Sequence, residues 1–164
     1  MITLREILAA DIPIINSWRN DRDTISSLGT NFRYINPETD QQWFDAYMNS
    51  RDKNVYLAII NSSQSISGIV YLKNIDYLNS NAEFAIQICP DERKKGIGLA
   101  ASKKCIDHAF LDLNLQRLYI TVLEDNTPAI SMYKKLGFVD EGTLQRSIYK
   151  NGAYKNQRIM ALLK

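Results

Sequence analysis

Apolar residues recur along this chain at two spacings, every second position and every third or fourth, and the alternation between them predicts the elements. Residues 2–7 alternate loosely, as an edge strand does. Ile12, Ile15 and Trp18 then share one side of a helix that Asp11 can cap and Pro13 can open, and whose far end, through Asp23, is polar. Residues 26–36 carry no period but hold Phe32 and Tyr34, so a packed loop is expected. Pro37 starts a second helix to about Met48, with Trp43, Phe44 and Tyr47 spaced for burial. β-Branched and aromatic runs at 55–60 and 67–75 flank a polar turn and predict a hairpin. After a second turn at 77–81, residues 82–89 read as a strand halted by Pro90, which cannot donate to a ladder.

Beyond Pro90 the period becomes helical: Leu99, Ser102, Ile106, Ala109, Phe110 and Leu113. A strand at 118–123 and a helix at 128–136, stopped by Gly137, follow. Residues 139–142 are polar and read as a turn. Residues 147–149 and 158–163 flank Asn151-Gly152, a strong hairpin signal. The order is β-α-α-β-β-β-α-β-α-β-β, an α+β fold with a mostly antiparallel sheet. Only the pair flanking the central helix is expected to be parallel, because a strand-helix-strand crossover demands it.

Length and composition narrow the picture without deciding it. With 164 residues, 45% hydrophobic and 23% charged, the chain reads as one domain, 1–164, able to close a core. A net charge of +2, with no basic stripe interleaved with aromatics, argues against nucleic acid. No stretch has the length of a membrane span, and the first residues do not read as a signal peptide, so a cytoplasmic protein is expected. Cys89 and Cys105 lack metal-type spacing, and no metal is expected.

The candidate chemistry lies between the strand at 82–89 and the central helix, in Arg93-Lys94-Lys95-Gly96-Ile97-Gly98. Glycines allow close backbone approach, the helix start offers unpaired N–H groups, and three cations stand beside them: a site for a phosphate or pyrophosphate. A Walker loop is excluded because no Lys-Ser or Lys-Thr follows the second glycine. A dinucleotide fingerprint is excluded because the third glycine is missing. Arg-x-x-Gly-x-Gly does resemble the pyrophosphate loop of the GNAT family of N-acetyltransferases. A second stretch, Asn126-Thr127-Pro128-Ala129-Ile130-Ser131-Met132-Tyr133 closed by Gly137-Phe138, is similar to that family's Asn-x-x-Ala-x-x-x-Tyr followed by x-x-Gly-Phe. The resemblance covers nearly the whole chain.

The resemblance implies a GNAT fold, with a central sheet of about seven strands flanked by about four helices. It also implies acetyl-CoA as co-substrate, with no metal. The diphosphate would lie at the N–H groups of 95–100, contacted by Arg93, Lys94, Lys95, Gly96, Ile97, Gly98, Leu99 and Ala100. The strand end at Ile86, Gln87 and Ile88 would form a bulge around Gln87 and Ile88 that donates to the thioester oxygen. Asn126 would contact the pantetheine arm, and Tyr133 would face the sulfur and protonate the leaving thiolate. Read without the family, Tyr133 is a packed core tyrosine.

Glu83 is the candidate base, sharing a face with Ala85 and Gln87. It reads equally as a solvent-facing carboxylate at a strand end. A water chain without a dedicated base, and the carboxylates Asp140 and Glu141, stand as alternatives. His108 reads as a surface histidine of the helix.

Within the family, Ala82-Glu83-Phe84, residues 137–142 and Asn151-Gly152-Ala153-Tyr154 resemble the RimJ/RimL group, whose members acetylate ribosomal-protein N-termini, polyamines and sugar-nucleotide amines. Trp18-Arg19-Asn20 is similar to acetyltransferases of amino-sugar biosynthesis. Many members carry an acidic residue after the hairpin tyrosine, where this chain has Asn156. Candidate acceptor residues are Arg22, Phe32, Arg33 and Glu83. Arg19, Arg22 and Arg33 suit a phosphate-bearing amine, whereas Asp21, Asp23, Glu38 and Asp40 suit a polycation. The acceptor is expected to be a small-molecule primary amine, with a protein N-terminus as runner-up and a non-catalytic acyl-CoA sensor as the reading from another class. No membrane or nucleic-acid partner is expected, and a homodimer is compatible with the chain.

Overall fold

A computed structural model describes residues 2–164; Met1 lies outside the described residues. Seven strands form one sheet: β1 (Thr3–Glu6), β2 (Val55–Ile60), β3 (Ile66–Asp76), β4 (Asn81–Ile88), β5 (Arg117–Leu123), β6 (Val139–Lys150) and β7 (Ala153–Leu163). Their spatial order is β1-β2-β3-β4-β5-β7-β6. All neighbours are antiparallel except β4 and β5, the expected parallel pair.

Helices α1 (Ile12–Arg19), α2 (Arg22–Ser26) and α3 (Pro37–Met48) precede β2, α4 (Ile97–Asp107) follows β4, and α5 (Thr127–Lys135) follows β5. The period-2 pattern divides the strands between two cores. On one face Val70, Leu72 and Phe84 pack with Ala101, Cys105, Tyr133 and Phe138; on the other Ala58, Ile60 and Ile69 pack with Ile12, Ile15, Trp18 and Phe44. Clusters of this kind supply about 25 cal/mol for each Å² of apolar surface removed from water.

Four local expectations are corrected. The first helix does not run on to Asp23: α1 ends at Arg19, and Asp21, accepting from Thr24 N at 3.0 Å, starts the separate five-residue α2, too short and too polar to show a period. Asp11 does not cap α1. Its carboxylate pairs with Arg5 at 2.7 and 2.9 Å and accepts from Leu8 N, closing the tight turn at Ala9–Asp11. Residues 139–142 are not a turn but the start of β6, an edge strand exposed along most of its length, where polar residues replace the usual alternation. The strand at 147–149 is correspondingly longer, and β7 begins at Ala153.

The central helix changes at its end, where residues His108–Asp112 widen into a π turn. Among the described residues no helix is long and apolar enough to cross a membrane.

Candidate active site

β4 and β5 pair only over 81–83 with 117–119, then part. Direction along β4 follows from one bond, Cys89 N–H to Ser67 O at 2.8 Å. Alternation from there turns the N–H groups of Gln87, Ala85 and Glu83 towards β3, and those of Ile88 and Ile86 towards the gap left by β5. Two main-chain donors thus face a cleft whose far wall carries Thr121 and Val122. The expected bulge is absent as an extra residue. The β3–β4 register runs without a step from Gly68–Ile88 to Lys73–Glu83, and its irregularity lies between Lys73 and Asp76. What distinguishes the strand end is proximity: a Cβ on Gly68 would stand 2.3 Å from the Gln87 carbonyl oxygen.

The glycine loop lies at the mouth of this cleft. Pro90–Glu92 form one 3-10 turn, and Arg93 folds back so that its Nε donates to Ile88 O at 3.3 Å. Lys94 and Gly96 both take left-handed backbone, with φ of 62° and 77°. The first residue is strained there, while glycine adopts it freely and starts α4 without a side-chain cap. The first intrahelical bond recorded is Ala100 N–H to Gly96 O, 3.2 Å. Ala100 is therefore not a free donor, which corrects that end of the expected range. The amides of Ile97, Gly98 and Leu99 are the unpaired ones of the first turn. A Cβ at Gly96 would meet nothing within 4 Å, so the cradle is open to an anion. These donors, with Arg93 and Lys94, fit the diphosphate of a CoA. Lys95 instead pairs with Glu92 at 3.3 Å.

Behind the loop opens a cleft of about 900 Å³. Tyr133 forms part of its wall, though only 7% exposed, and packs edge-on against Phe84 and Phe138. Burial pushes its phenol up to about 12, so it keeps its proton at neutral pH. Glu83 also lines the cleft, with Lys73 Nζ 3.1 Å away on the neighbouring strand. Tyr71 and Tyr56 stack beside it with centroids 4.9 Å apart. Burial raises the Tyr71 phenol as well.

Ile86, Gln87, Ile88, Arg93, Lys94, Gly96, Gly98, Leu99, Asn126, Tyr133, Glu83 and Arg33 all border this one cleft. Arg22 and Phe32 do not: the guanidinium sits 4.2 Å over the phenyl ring, and neither side chain lines the cleft. Tyr34, expected to pack, is 82% exposed. Asn126 lies at the cleft but its side chain is engaged, Oδ1 accepting from Ala129 N and Nδ2 donating to Ser27 O at 2.8 Å. The other base candidates lie elsewhere, Glu141 paired with Arg117, Asp140 between Lys134 and Arg158, and His108 bonded to Asp112 at 2.7 Å.

Sequence reasoning missed Tyr56, Tyr71 and Lys73 as wall residues. Their signal was present: Tyr71 and Lys73 occupy the same parity as Ile69, across from Ala85 and Glu83. The Trp18-Arg19-Asn20 stretch works as a clamp. Arg19 pairs with the fully buried Asp40, and Asn20 brackets Ile35, accepting from its N at 2.9 Å and donating to its O at 2.7 Å.

A family model, the acetyltransferase (GNAT) domain, matches residues 1–139. The spermidine N(1)-acetyltransferase of Vibrio cholerae is 27% identical over 162 residues, 99% of this chain and 92% of that one. A crystal structure of the Vibrio cholerae spermidine N-acetyltransferase in complex with CoA and spermine superposes with a TM-score of 0.94, at 26% identity, over 99% of this chain and 95% of that one. A dodecameric structure of the same enzyme gives 0.87, at 25% identity, over 99% of this chain and 93% of that one. The two glycine and tyrosine signatures, the parted strands and the matching family model give one conclusion: this chain belongs to the GNAT family of acetyltransferases.

Proposed function

We propose that this chain moves an acetyl group from acetyl-CoA to a primary amine of a small molecule, by direct attack within one ternary complex, and that the acceptor is a polyamine of the spermidine type. The observation that carries it is the gap between β4 and β5, which brings the glycine loop, two outward N–H groups, Tyr133 and Glu83 to one cleft. The acceptor class rests on the relatives named for spermidine.

Bound acetyl-CoA supplies the activated thioester. The unpaired amides of 97–99 hold its diphosphate. The N–H groups of Ile86 and Ile88 face the gap as donors for a developing oxyanion. An alkyl ammonium of pKa about 10.4 must lose its proton at a cost of roughly 4–5 kcal/mol at pH 7. Of the two carboxylates that border the cleft, Glu92 pairs with Lys95 at the glycine loop, and Glu83 is the one assigned to take that proton, directly or through water. Tyr133, whose phenol carries its proton at neutral pH, is the acid for the leaving thiolate. Holding both reactants in one cleft lowers the barrier further by alignment alone.

One feature favours a second acceptor. Arg33 and Arg19 border the cleft, and Glu83 and Glu92 are the carboxylates that do so. An amine bearing a phosphate or carboxylate, such as an amino-sugar nucleotide, suits that wall. Arg33→Ala separates the two, raising KM for an anionic acceptor and leaving that for spermidine unchanged or lower. Self-association accords with the exposed edge β6, and light scattering distinguishes a homodimer from a larger assembly.

A thiol-release assay with acetyl-CoA across spermidine, amino-sugar nucleotides, amino acids and short peptides tests the whole reading. Turnover of peptides alone would replace the small-molecule acceptor by a protein N-terminus. No turnover of anything would leave an acyl-CoA sensor.

A further inference from the structure

Lys150 ends β6, just before the Asn151-Gly152 turn, and is 5% exposed. Its ammonium forms no ion pair with a carboxylate among the described residues. Instead Nζ donates to three main-chain carbonyls of one segment: Ile25 O at 2.6 Å, Leu28 O, and Thr30 O at 2.9 Å. The same segment is tied twice more. Asn31 Nδ2 donates to Tyr149 O at 2.7 Å, and Asn126 Nδ2 donates to Ser27 O at 2.8 Å. Gly29 lies so close to the sheet that a Cβ there would be 3.0 Å from Gln157 Nε2 and 3.6 Å from Thr121 O. Residues 25–31 therefore run across the open side of β5, β7 and β6, and most of them face the cleft.

We infer that Lys150 is a positioning residue for the amine acceptor: its ammonium is the post that holds segment 25–31 as one wall of the cleft. The proposal rests on the acetyltransferase reading only for its kinetic arm. Burying a cation without a counter-ion is costly, so an apolar side chain would suit the hairpin by itself. That side chain would leave three carbonyls without their donor. Lysine is suited to the task because its ammonium has three donors on a rotatable head, whereas the planar arginine fork does not point three ways at once. The segment needs such a post. Beyond the short α2 it has no periodic apolar face, and segments with few apolar contacts open at low free energy. Burial also lowers the pKa of the Lys150 ammonium, in line with its enclosure.

Lys150→Met keeps the length of the side chain and removes the donors. Hydrogen–deuterium exchange should speed up at least tenfold at amides 25–31, with β2 to β5 unchanged. In thiol-release assays KM for spermidine should rise tenfold or more, with kcat within about threefold and KM for acetyl-CoA within twofold. Asn31→Ala, an exposed change to the adjacent tie, should show the same split on a smaller scale and serves if the Met variant does not fold. Unchanged loop exchange, or acceptor and acetyl-CoA KM rising together, would overturn the assignment. If the wild-type chain does not use spermidine, that failure belongs to the acceptor reading, and the exchange experiment alone decides the role of Lys150.

Discussion

Asn126 Nδ2 donates to Ser27 O over 2.8 Å, so the residue that caps α5 also holds the 25–31 segment along the cleft. One side chain links the helix that carries Tyr133 to the opposite wall. Asn126→Ala removes the cap and the tie together. The cap alone is worth about 1 kcal/mol. Stability should fall by at least that much in urea titrations, and KM for the amine should rise more than KM for acetyl-CoA. A rise in KM for acetyl-CoA with none for the amine would place Asn126 on the cofactor alone.

Gly68 governs the end of β4. A Cβ there would lie 2.3 Å from the Gln87 carbonyl oxygen and 3.0 Å from Ile88 Cα, both main-chain atoms that cannot swing aside. Gly68→Ala should push the Gln87–Ile88 peptides away from β3. The expected outcome is a kcat lowered at least tenfold in a folded protein, since the Ile86 and Ile88 donors are displaced while the glycine loop is not. Unaltered kcat would mean that these donors do not serve the reaction.

Gly98 makes a different demand. A Cβ would meet Met132 Sδ at 3.3 Å and Ile88 Cγ1 at 3.6 Å, which is tight but tolerable, so the sensitive quantity is charge. Gly98→Asp places an anion among the unpaired amides of α4 and should weaken CoA binding at least tenfold by calorimetry. Gly98→Ala should cost far less.

Buried tyrosines set the alkaline limit. Tyr133 and Tyr47 are both raised to about 12, each first by burial. An unfolded tyrosine releases its proton near 10, so between those values the unfolded chain binds fewer protons than the folded one. Their contribution to stability is present in full below about pH 10 and is lost as pH rises through the folded value. Urea midpoints should therefore fall as pH rises from about 10 towards 12, and fall less in Tyr133→Phe. Below that window, as pH rises to about 10, kcat/KM should climb as the amine deprotonates, with no falling limb from Tyr133.

Much of this was legible in the residues. Strong periods located β2, β3, β4, α3 and α4, and the two glycine and tyrosine signatures marked both sides of the cleft. What escaped was encoded without a period. The short α2 is specified by a single cap, and β6 is an exposed edge whose pairing to β7, rather than its hydrophobicity, makes it a strand. Arg22 has the charge and Phe32 the bulk of acceptor residues, but the guanidinium sits over the ring and neither lines the cleft. Lys150 sits beside a hairpin turn where lysine is ordinary. Its burial arises from a segment more than a hundred residues earlier, at a separation that local pattern does not reach.

In the proposed mechanism the parted strands bring the protonated phenol of Tyr133 to the cofactor's sulfur. Tyr133→Phe keeps the ring between Phe84 and Phe138 and removes only the proton. Steady-state turnover with acetyl-CoA and spermidine, read beside CoA affinity by calorimetry, should fall by roughly 10²–10⁴-fold with CoA binding unchanged. Turnover near that of the wild type would contradict Tyr133 as the acid.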